Sequence, residues 1–297
     1  MKIEYFETTS LEDIINHASG EIPDGKFIIN YILPFSIPIE IIKDNPIRDV
    51  SDEALLWASK VRPEELHINH GEFIGDGLDH IISQLTHKKT SNRAIISLID
   101  QSKISNSGDT PIPSFMVLQC NIYEDTLYCT AYFRALEVTT FLRVNLEEIR
   151  LKIASIYDAI PDFRTVNLTI FAFRAYSNKN INTLKIPLID RLTEAKILTT
   201  LIRNPTEISE LLKQKCKDST VILTSSLEKI ISSLSELEDK EVCFNRVLAL
   251  HLTKKALATA NDLKEKRAVN SHHDDFEKLN RELEENTLAV SKEIYNA

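Results

Sequence analysis

Up to Pro187 the apolar residues of this chain come in short runs that alternate or fill both faces of a strand, and after it they recur every three to four residues. The strongest run is Pro113 to Asn145, PSFMVLQCNIYEDTLYCTAYFRALEVTTFLRVN. Phe115–Tyr123 and Leu127–Phe133 are rich in β-branched, aromatic and sulfur-bearing residues around a Glu124-Asp125-Thr126 turn, which predicts a hairpin. Side chains alternate along a strand, so Ser114, Met116, Leu118 and Cys120 share one face, and Phe115, Val117, Gln119 and Asn121 the other. Both faces are largely apolar, and both call for cover. Helical spacing begins at Phe141 and continues through Val144, Ile149, Ile153 and Ile156.

Further strands are predicted at Ala94–Ile99 and Thr165–Tyr176, giving a sheet of four strands or more, with a β-like run at Lys26–Leu33 before a proline-studded segment. Helices are predicted at Ser10–Ala18, with Ser10 and Asp13 as a capping box, at 51–63 with Ser51 as N-cap, and at Asp79–Thr86. Beyond Pro187, Leu188–Arg203, Glu207–Lys217, Ser225–Glu238, Val242–Ala260 and Phe276–Ile294 read as amphipathic helices. The last carries a stripe of Phe276, Leu279, Leu283, Val290 and Ile294 suited to packing on its own chain or on a partner helix. The expected class is α+β: a mixed sheet with flanking helices over 1–186, then an all-helical region over 187–297.

Composition narrows the classes. The chain has 297 residues, 43% hydrophobic and 27% charged, as in a globular protein. No apolar run approaches ~20 residues and the start, MKIEYFETTS, is acidic, so neither a membrane span nor a signal peptide is expected, and a cytoplasmic location is. A net charge of −9 argues against non-specific nucleic-acid binding. All six glycines precede residue 109, which leaves no glycine-rich phosphate loop in the later part. Cys120, Cys129, Cys216 and Cys243 lack C-x-x-C spacing, so buried free thiols are expected and a zinc site is not. His67 and His70 read as ordinary surface or pocket residues, and His272-His273-Asp274-Asp275 as a helix start rather than a metal cluster.

Candidate chemistry clusters at the central run. The second strand delivers Arg134 beside Glu137, with Asn145 eleven residues on; a guanidinium grips phosphate through parallel hydrogen bonds, and an amide both donates and accepts. The spacing Pro113-Ser114-Phe115-x-x-x-Gln119, Arg134-Ala135-x-Glu137, Asn145 resembles the core of thymidylate synthases and deoxycytidylate hydroxymethylases, where it reads P-C-H-x-x-x-Q, R-S-x-D, N. Ser91-Asn92-Arg93, His70-Gly71, Leu55-Leu56-Trp57 and Tyr176-Ser177-Asn178 resemble that family's S-R-R, Y-G, L-L-W and Y-S-N, so that the likeness covers about residues 45–180. It implies a homodimer built through the sheet, and a pyrimidine-nucleotide site from Arg134, Glu137, Asn145 and Tyr176 with Arg93 reaching across from the partner.

The departures fall on the reacting groups. The family's nucleophilic cysteine is Ser114 here, its following histidine Phe115, its catalytic glutamate Ala54 with Glu53 adjacent, and its histidine before Y-S-N Arg174. A thiolate opens that reaction, and a serine hydroxyl without a base does not replace it. No catalytic residue is therefore expected to be retained. The expected function is a degenerate thymidylate-synthase-like protein that binds or senses a pyrimidine nucleotide or acts as a dimeric scaffold, needing no cofactor, with the C-terminal helices open to a protein partner. The enzyme alternative is C5 methyl or hydroxymethyl transfer from a folate, and a third reading is a sheet serving only for dimerisation, its pocket filled by Phe115 and Phe141.

Overall fold

The computed structural model of the chain describes residues 3–106, 111–178, 184–215, 221–269 and 275–295. Two compact units result: Met1–Pro63 with Ile68–Lys179, and Glu64–His67 with Asn180–Ala297. The first runs β1 (Phe6–Glu7), α1 (Leu11–Glu21), β2 (Phe27–Pro38), α2 (Ile39–Asp44), α3 (Ser51–Ala58), α4 (Gly71–Ile74), α5 (Gly77–His87), β3 (Ile95–Ser97), α6 (Gln101–Asn106), β4 (Phe115–Tyr123), β5 (Thr126–Phe133), β6 (Leu136–Glu137), α7 (Phe141–Ala159) and β7 (Thr165–Tyr176).

Its seven strands form one mixed sheet in the order β1-β2-β7-β5-β4-β3, with β6 alongside β7. β4 and β5 are the expected hairpin, closed by a turn in which Glu124 takes φ 55°. β5 and β7 are parallel neighbours, so the chain must cross over between them, and α7 lies in that crossover. Helix α7 presents Leu142, Leu146, Ile149, Ile153 and Ile156, all buried at helical spacing, to a core shared with Leu118, Ala131, Leu168 and Ile170 of the sheet. Helix α1 adds Leu11, Ile14 and Ala18 to that core, and begins with the capping box of Ser10 and Asp13.

Several expectations need correction. The second face of the sheet is left open by the described residues of its own unit: Ile32, Ile95, Tyr128 and Phe173 are exposed there, and Tyr132 stacks on Phe171 at 5.4 Å. Ser51 does not cap α3; it is the first residue of that helix, and its hydroxyl donates to Ile47 O at 3.0 Å. Strand β2 runs through Pro34, which the proline content argued against. The Ser36 carbonyl accepts from Thr8 N, so alternate residues of β2 point their polar groups away from β7. Pro34 thus lacks an N–H where the short β1 leaves nothing to pair with.

The second unit is helical apart from one antiparallel bridge between Leu66 and Lys185 among the described residues: α8 (Leu188–Arg191), α9 (Glu194–Arg203), α10 (Pro205–Lys215), α11 (Ser225–Glu236), α12 (Arg246–Val269) and α13 (Phe276–Tyr295). Leu279, Val290 and Ile294 of α13 are buried, the latter two in a core with Ile208, Leu212, Ala256 and Ala260, so much of its stripe packs on its own unit. The buried Asp190 carboxylate accepts from Lys215 Nζ at 2.7 Å and from Ser226 N at 3.0 Å, satisfying an orphan donor at the start of α11. Cys243 lies inside the expected helix Val242–Ala260, but the helix starts only at Arg246, so Cys243 is exposed ahead of α12, contrary to the expected burial. Cys216 and 272–274 lie outside the described residues.

Candidate functional site

The pairing of β6 with β7 sets Glu137 opposite Tyr176, and the Arg134 N–H donates to Ser114 O at 2.9 Å, so four of the expected site residues meet near the ends of β5 and β7. Glu137 is buried and spent. One carboxylate oxygen accepts from Thr139 N at 2.8 Å and from the Thr139 hydroxyl, the other from Thr140 N at 2.6 Å and Phe141 N at 3.0 Å. A carboxylate on the first N–H groups of α7 satisfies orphan donors and meets the positive end of the helix dipole. Asn178 N adds a longer contact at 3.4 Å, so Glu137 also ties down the chain leaving β7. Its oxygens are held by the entry to α7 and by the chain leaving β7.

Arg134 donates through Nε to Pro113 O at 3.2 Å and through Nη2 to Ile112 O at 3.0 Å, pinning the segment that carries Ser114. Three of the five N–H groups of a guanidinium then remain available. Arg174, one strand away on β7, lays its guanidinium over the Phe27 ring at 4.0 Å, and its Nε is buried without a partner among the described residues. Protein crowding the two guanidiniums pulls both pKa values down from the ordinary arginine value, while the Tyr176 phenol works in the opposite direction on both. Both stay charged at any pH a protein tolerates. Neither has a carboxylate partner among the described residues, and the Tyr176 phenol acts on the charge of each.

On the other side of Ser114 the structure is packed. Val117 faces Tyr132 but Phe115 faces Phe133, so Met116 is an extra residue in β4. That bulge turns Phe115 onto the core face, where simple alternation from Leu118 would have sent it outward. Phe115 is fully buried, stacks on Phe133 at 4.9 Å, and meets His70 edge-on at 5.5 Å. His70 in turn meets Trp57 at 4.7 Å, and Trp57 meets Phe141 at 6.0 Å, which completes a row of five rings.

His70 is fixed in that row by its neighbours. Its N–H donates to Trp57 O at 2.9 Å. Gly71 allows the approach: a Cβ there would stand 2.1 Å from Ser59 O and 2.3 Å from Ala58 O, both backbone. The His70 ring Nδ1 lies 2.6 Å from Glu148, whose other oxygen takes Lys152 Nζ at 2.5 Å. Burial alone would raise the Glu148 carboxyl; the charges of His70 and Lys152 outweigh it and draw the pKa down to about 2. Glu147 is likewise buried, paired to Arg150 at 2.7 Å and accepting from Ile47 N at 2.9 Å.

Asn145 shares one stripe of α7 with Phe141, Glu148 and Lys152, is buried, and makes no amide hydrogen bond among the described residues. The Trp57 Nε1 donor is also buried without a partner among the described residues. Ala54, at the expected glutamate position, is fully buried, and no described base hydrogen-bonds the Ser114 hydroxyl. Cys120, the nearest thiol to Ser114 in sequence, is buried in the core against Cys129. Arg93 is exposed before β3 and stands two residues ahead of the Ile95–Gln119 pair, near Asn121. It is some seven residues along β4 from Ser114, roughly 20 Å, so it does not join Arg134 within one chain.

The charge relay of His70, Glu148 and Lys152 and the second cation Arg174 were not singled out from sequence as site residues. The only signal for Arg174 was its place where the resembling family has histidine.

No family profile matches the sequence, and no curated protein matches it. Among solved structures the chain is similar to thymidylate synthase from T4 phage, with a TM-score of 0.32 and 16% identity over 36% of this chain and 36% of that one. The matched part is about a third of that protein's length, and a likeness of this size carries neither fold nor activity to this chain. Among the described residues no helix is long and apolar enough to cross a membrane.

Proposed function

We propose that this chain is a catalytically silent, dimeric protein that binds a pyrimidine nucleotide at the strand ends of its mixed sheet. The observation that carries the reading is the corner of Arg134, Arg174 and Tyr176, where two guanidiniums lack any carboxylate among the described residues. Phosphate suits such a corner, since guanidinium N–H groups bond its oxygens in pairs. The buried, unbonded Asn145 amide supplies a donor and an acceptor for a base. A uracil or thymine edge matches an amide, whereas a cytosine left mismatched against it costs about 1–3 kcal/mol.

Silence in catalysis rests on Ser114, whose hydroxyl has no base on it among the described residues, and on Phe115, whose ring is locked into the aromatic row. Without a nucleophile to open pyrimidine chemistry, the reading calls for no folate. The dimer rests on the uncovered face of the sheet, where Ile32, Ile95, Tyr128 and Phe173 are exposed around the stacked Tyr132 and Phe171. An apolar sheet face of that kind is suited to a second copy related by a two-fold axis. It would also bring Arg93 of one copy into play for the other.

Calorimetric titration with dUMP, dCMP and deoxyuridine, run beside sedimentation velocity, tests the reading. Binding of dUMP in preference to both others, by a dimer, is the expected result. Equal weak heats for all three ligands would remove the nucleotide site, and a monomer at micromolar concentration would remove the dimer. Tritium release from C5-labelled dUMP with methylenetetrahydrofolate should stay at background; release abolished by Ser114→Ala would restore the enzyme alternative.

A further inference from the structure

Cys120 and Cys129 stand opposite one another on β4 and β5, both buried in the core, with their Sγ atoms 3.2 Å apart. The backbone identifies which kind of cross-strand pair this is. The Cys120 N–H donates to Ala94 O at 2.9 Å, on the side of β3. Within a strand the N–H and C=O of one residue point the same way, so Cys120 makes no ladder bond to β5. Its pair with Cys129 is therefore of the non-hydrogen-bonded kind, whose Cα atoms stand about 4.5 Å apart and whose side chains lie closest. That spacing falls within the ~4.4–6.8 Å that a disulfide bridges without moving the backbone.

We propose that Cys120 and Cys129 are an oxidisable pair, closed into a cross-strand disulfide by a hydroperoxide and reopened by a small thiol. In the first step one sulfur attacks hydrogen peroxide; the O–O bond breaks, the sulfur becomes a sulfenic acid, and one water leaves. In the second, the facing sulfur displaces the hydroxyl, its own proton goes to that oxygen, and a second water leaves as the S–S bond forms. Two thiols and one peroxide give one disulfide and two waters, with two electrons passing from sulfur to oxygen. Two molecules of a small thiol return the pair to the reduced state and leave as their own disulfide.

The two steps have unequal demands. The hydrogen bond with Cys120, together with burial, pushes the Cys129 thiol well above the ordinary range. Thiolate is then scarce, so the first step is slow and quickens as pH rises. The second step needs no search, because the resolving sulfur is already in contact. The bond would tie the hairpin between its turn and the end that carries Ser114 and Arg134. It rests on the core geometry alone and stands whether or not a nucleotide binds.

The test uses the full chain carrying Cys216→Ser and Cys243→Ser, so that only this pair reacts. The protein is held with hydrogen peroxide at pH 8, alkylated, and digested without reductant. The expected product has lost about 2 Da, one hydrogen from each sulfur, and yields a linked peptide containing Cys120 and Cys129. Its Tm should rise by roughly 3–8 °C and return on adding dithiothreitol. Recovery of both cysteines as alkylated thiols or as sulfinic acids, from protein that circular dichroism shows to be folded, would overturn the proposal. If the double variant does not fold, the wild-type chain gives the same readout by counting Cys120–Cys129 peptides apart from those of Cys216 or Cys243.

Discussion

The two sides of Ser114 handle charge in opposite ways. Toward α7, every buried ion has its partner: Glu148 holds His70 and Lys152, Glu147 holds Arg150, and aromatic rings close the remaining space. Toward the ends of β5 and β7, Arg134 and Arg174 share one phenol and have no carboxylate among the described residues. A region that satisfies its own charges has been used to hold the fold, and a region that leaves cations without carboxylates has N–H groups to offer to water or an anion. The contrast teaches where to look for a ligand: at the corner that is electrically incomplete rather than along the row that is most elaborately packed.

The contrast breaks most visibly at Glu148. Glu148→Gln leaves Lys152 buried without its counter-ion, and the expected loss is about 3–5 kcal/mol in urea unfolding. The wild-type carboxyl, drawn down to about 2 from an ordinary 4.5, contributes stability that is fully present above the ordinary value and lost as pH falls through the folded one. Acid unfolding between about pH 5 and 2 should accordingly be shallower in Glu148→Gln than in wild type. An unchanged urea midpoint would mean that the buried chain of charges is not structural.

Next in size is Phe115→Ala, which opens a cavity between Phe133 and His70 and should cost roughly 3–5 kcal/mol. Dissociation constants for dUMP, measured well below the lowered Tm, should nonetheless change less than for the Arg134 variant, since the row and the corner do different work. Arg134→Ala reverses that pattern: little change in Tm beyond its two carbonyl contacts, but a loss of about ten- to a hundred-fold in affinity for dUMP. Deoxyuridine, lacking phosphate, should bind the variant and the wild type alike. The smallest effect is expected for Arg93→Ala, an exposed change worth within about 0.5 kcal/mol in stability. If the sheet face is the dimer interface, that variant should still weaken dUMP binding, and only in the dimer.

Legibility followed how local the cause was. Thr165–Tyr176 and the Phe115–Tyr123 strand were readable to the residue because their composition and their turn residues act over a few positions. The Ser10–Asp13 capping box is equally local and was readable for the same reason. Pro34 misled because its tolerance in β2 depends on where the two-residue β1 stops, which no neighbouring residue encodes. The bulge at Met116 was likewise hidden: alternation counts residues evenly, and one extra residue reassigns Phe115 from the outer face to the core.

Of the candidate residues Arg134, Glu137, Asn145 and Tyr176, the sequence shows the types but not the hydrogen bonds they make. Glu137 spends its oxygens on N–H groups two to four residues ahead, a capping relation that its position before Thr139, Thr140 and an apolar helix start could have suggested. Glu148 gives no such hint, because its partner His70 is 78 residues away in sequence. In isolation Glu147-Glu148-Ile149-Arg150-Leu151-Lys152 has the charge content of a solvated helix face, and only long-range packing turns it inward.

The sheet also sets an order of events for a chain leaving the ribosome. Pro34 in β2 lies opposite Thr169 in β7, so the central antiparallel partner of β2 is made 135 residues after it. At about 5–20 residues per second that is a wait of roughly 7–27 s. Through it Leu33, Phe35 and Ile37 have no β7 to lie beside. Partnerships this distant in sequence slow folding through the cost of closing the intervening loop. A nascent chain of this protein should therefore be a client for holding chaperones until Tyr176 has cleared the exit tunnel, and only then become able to collapse in a single step.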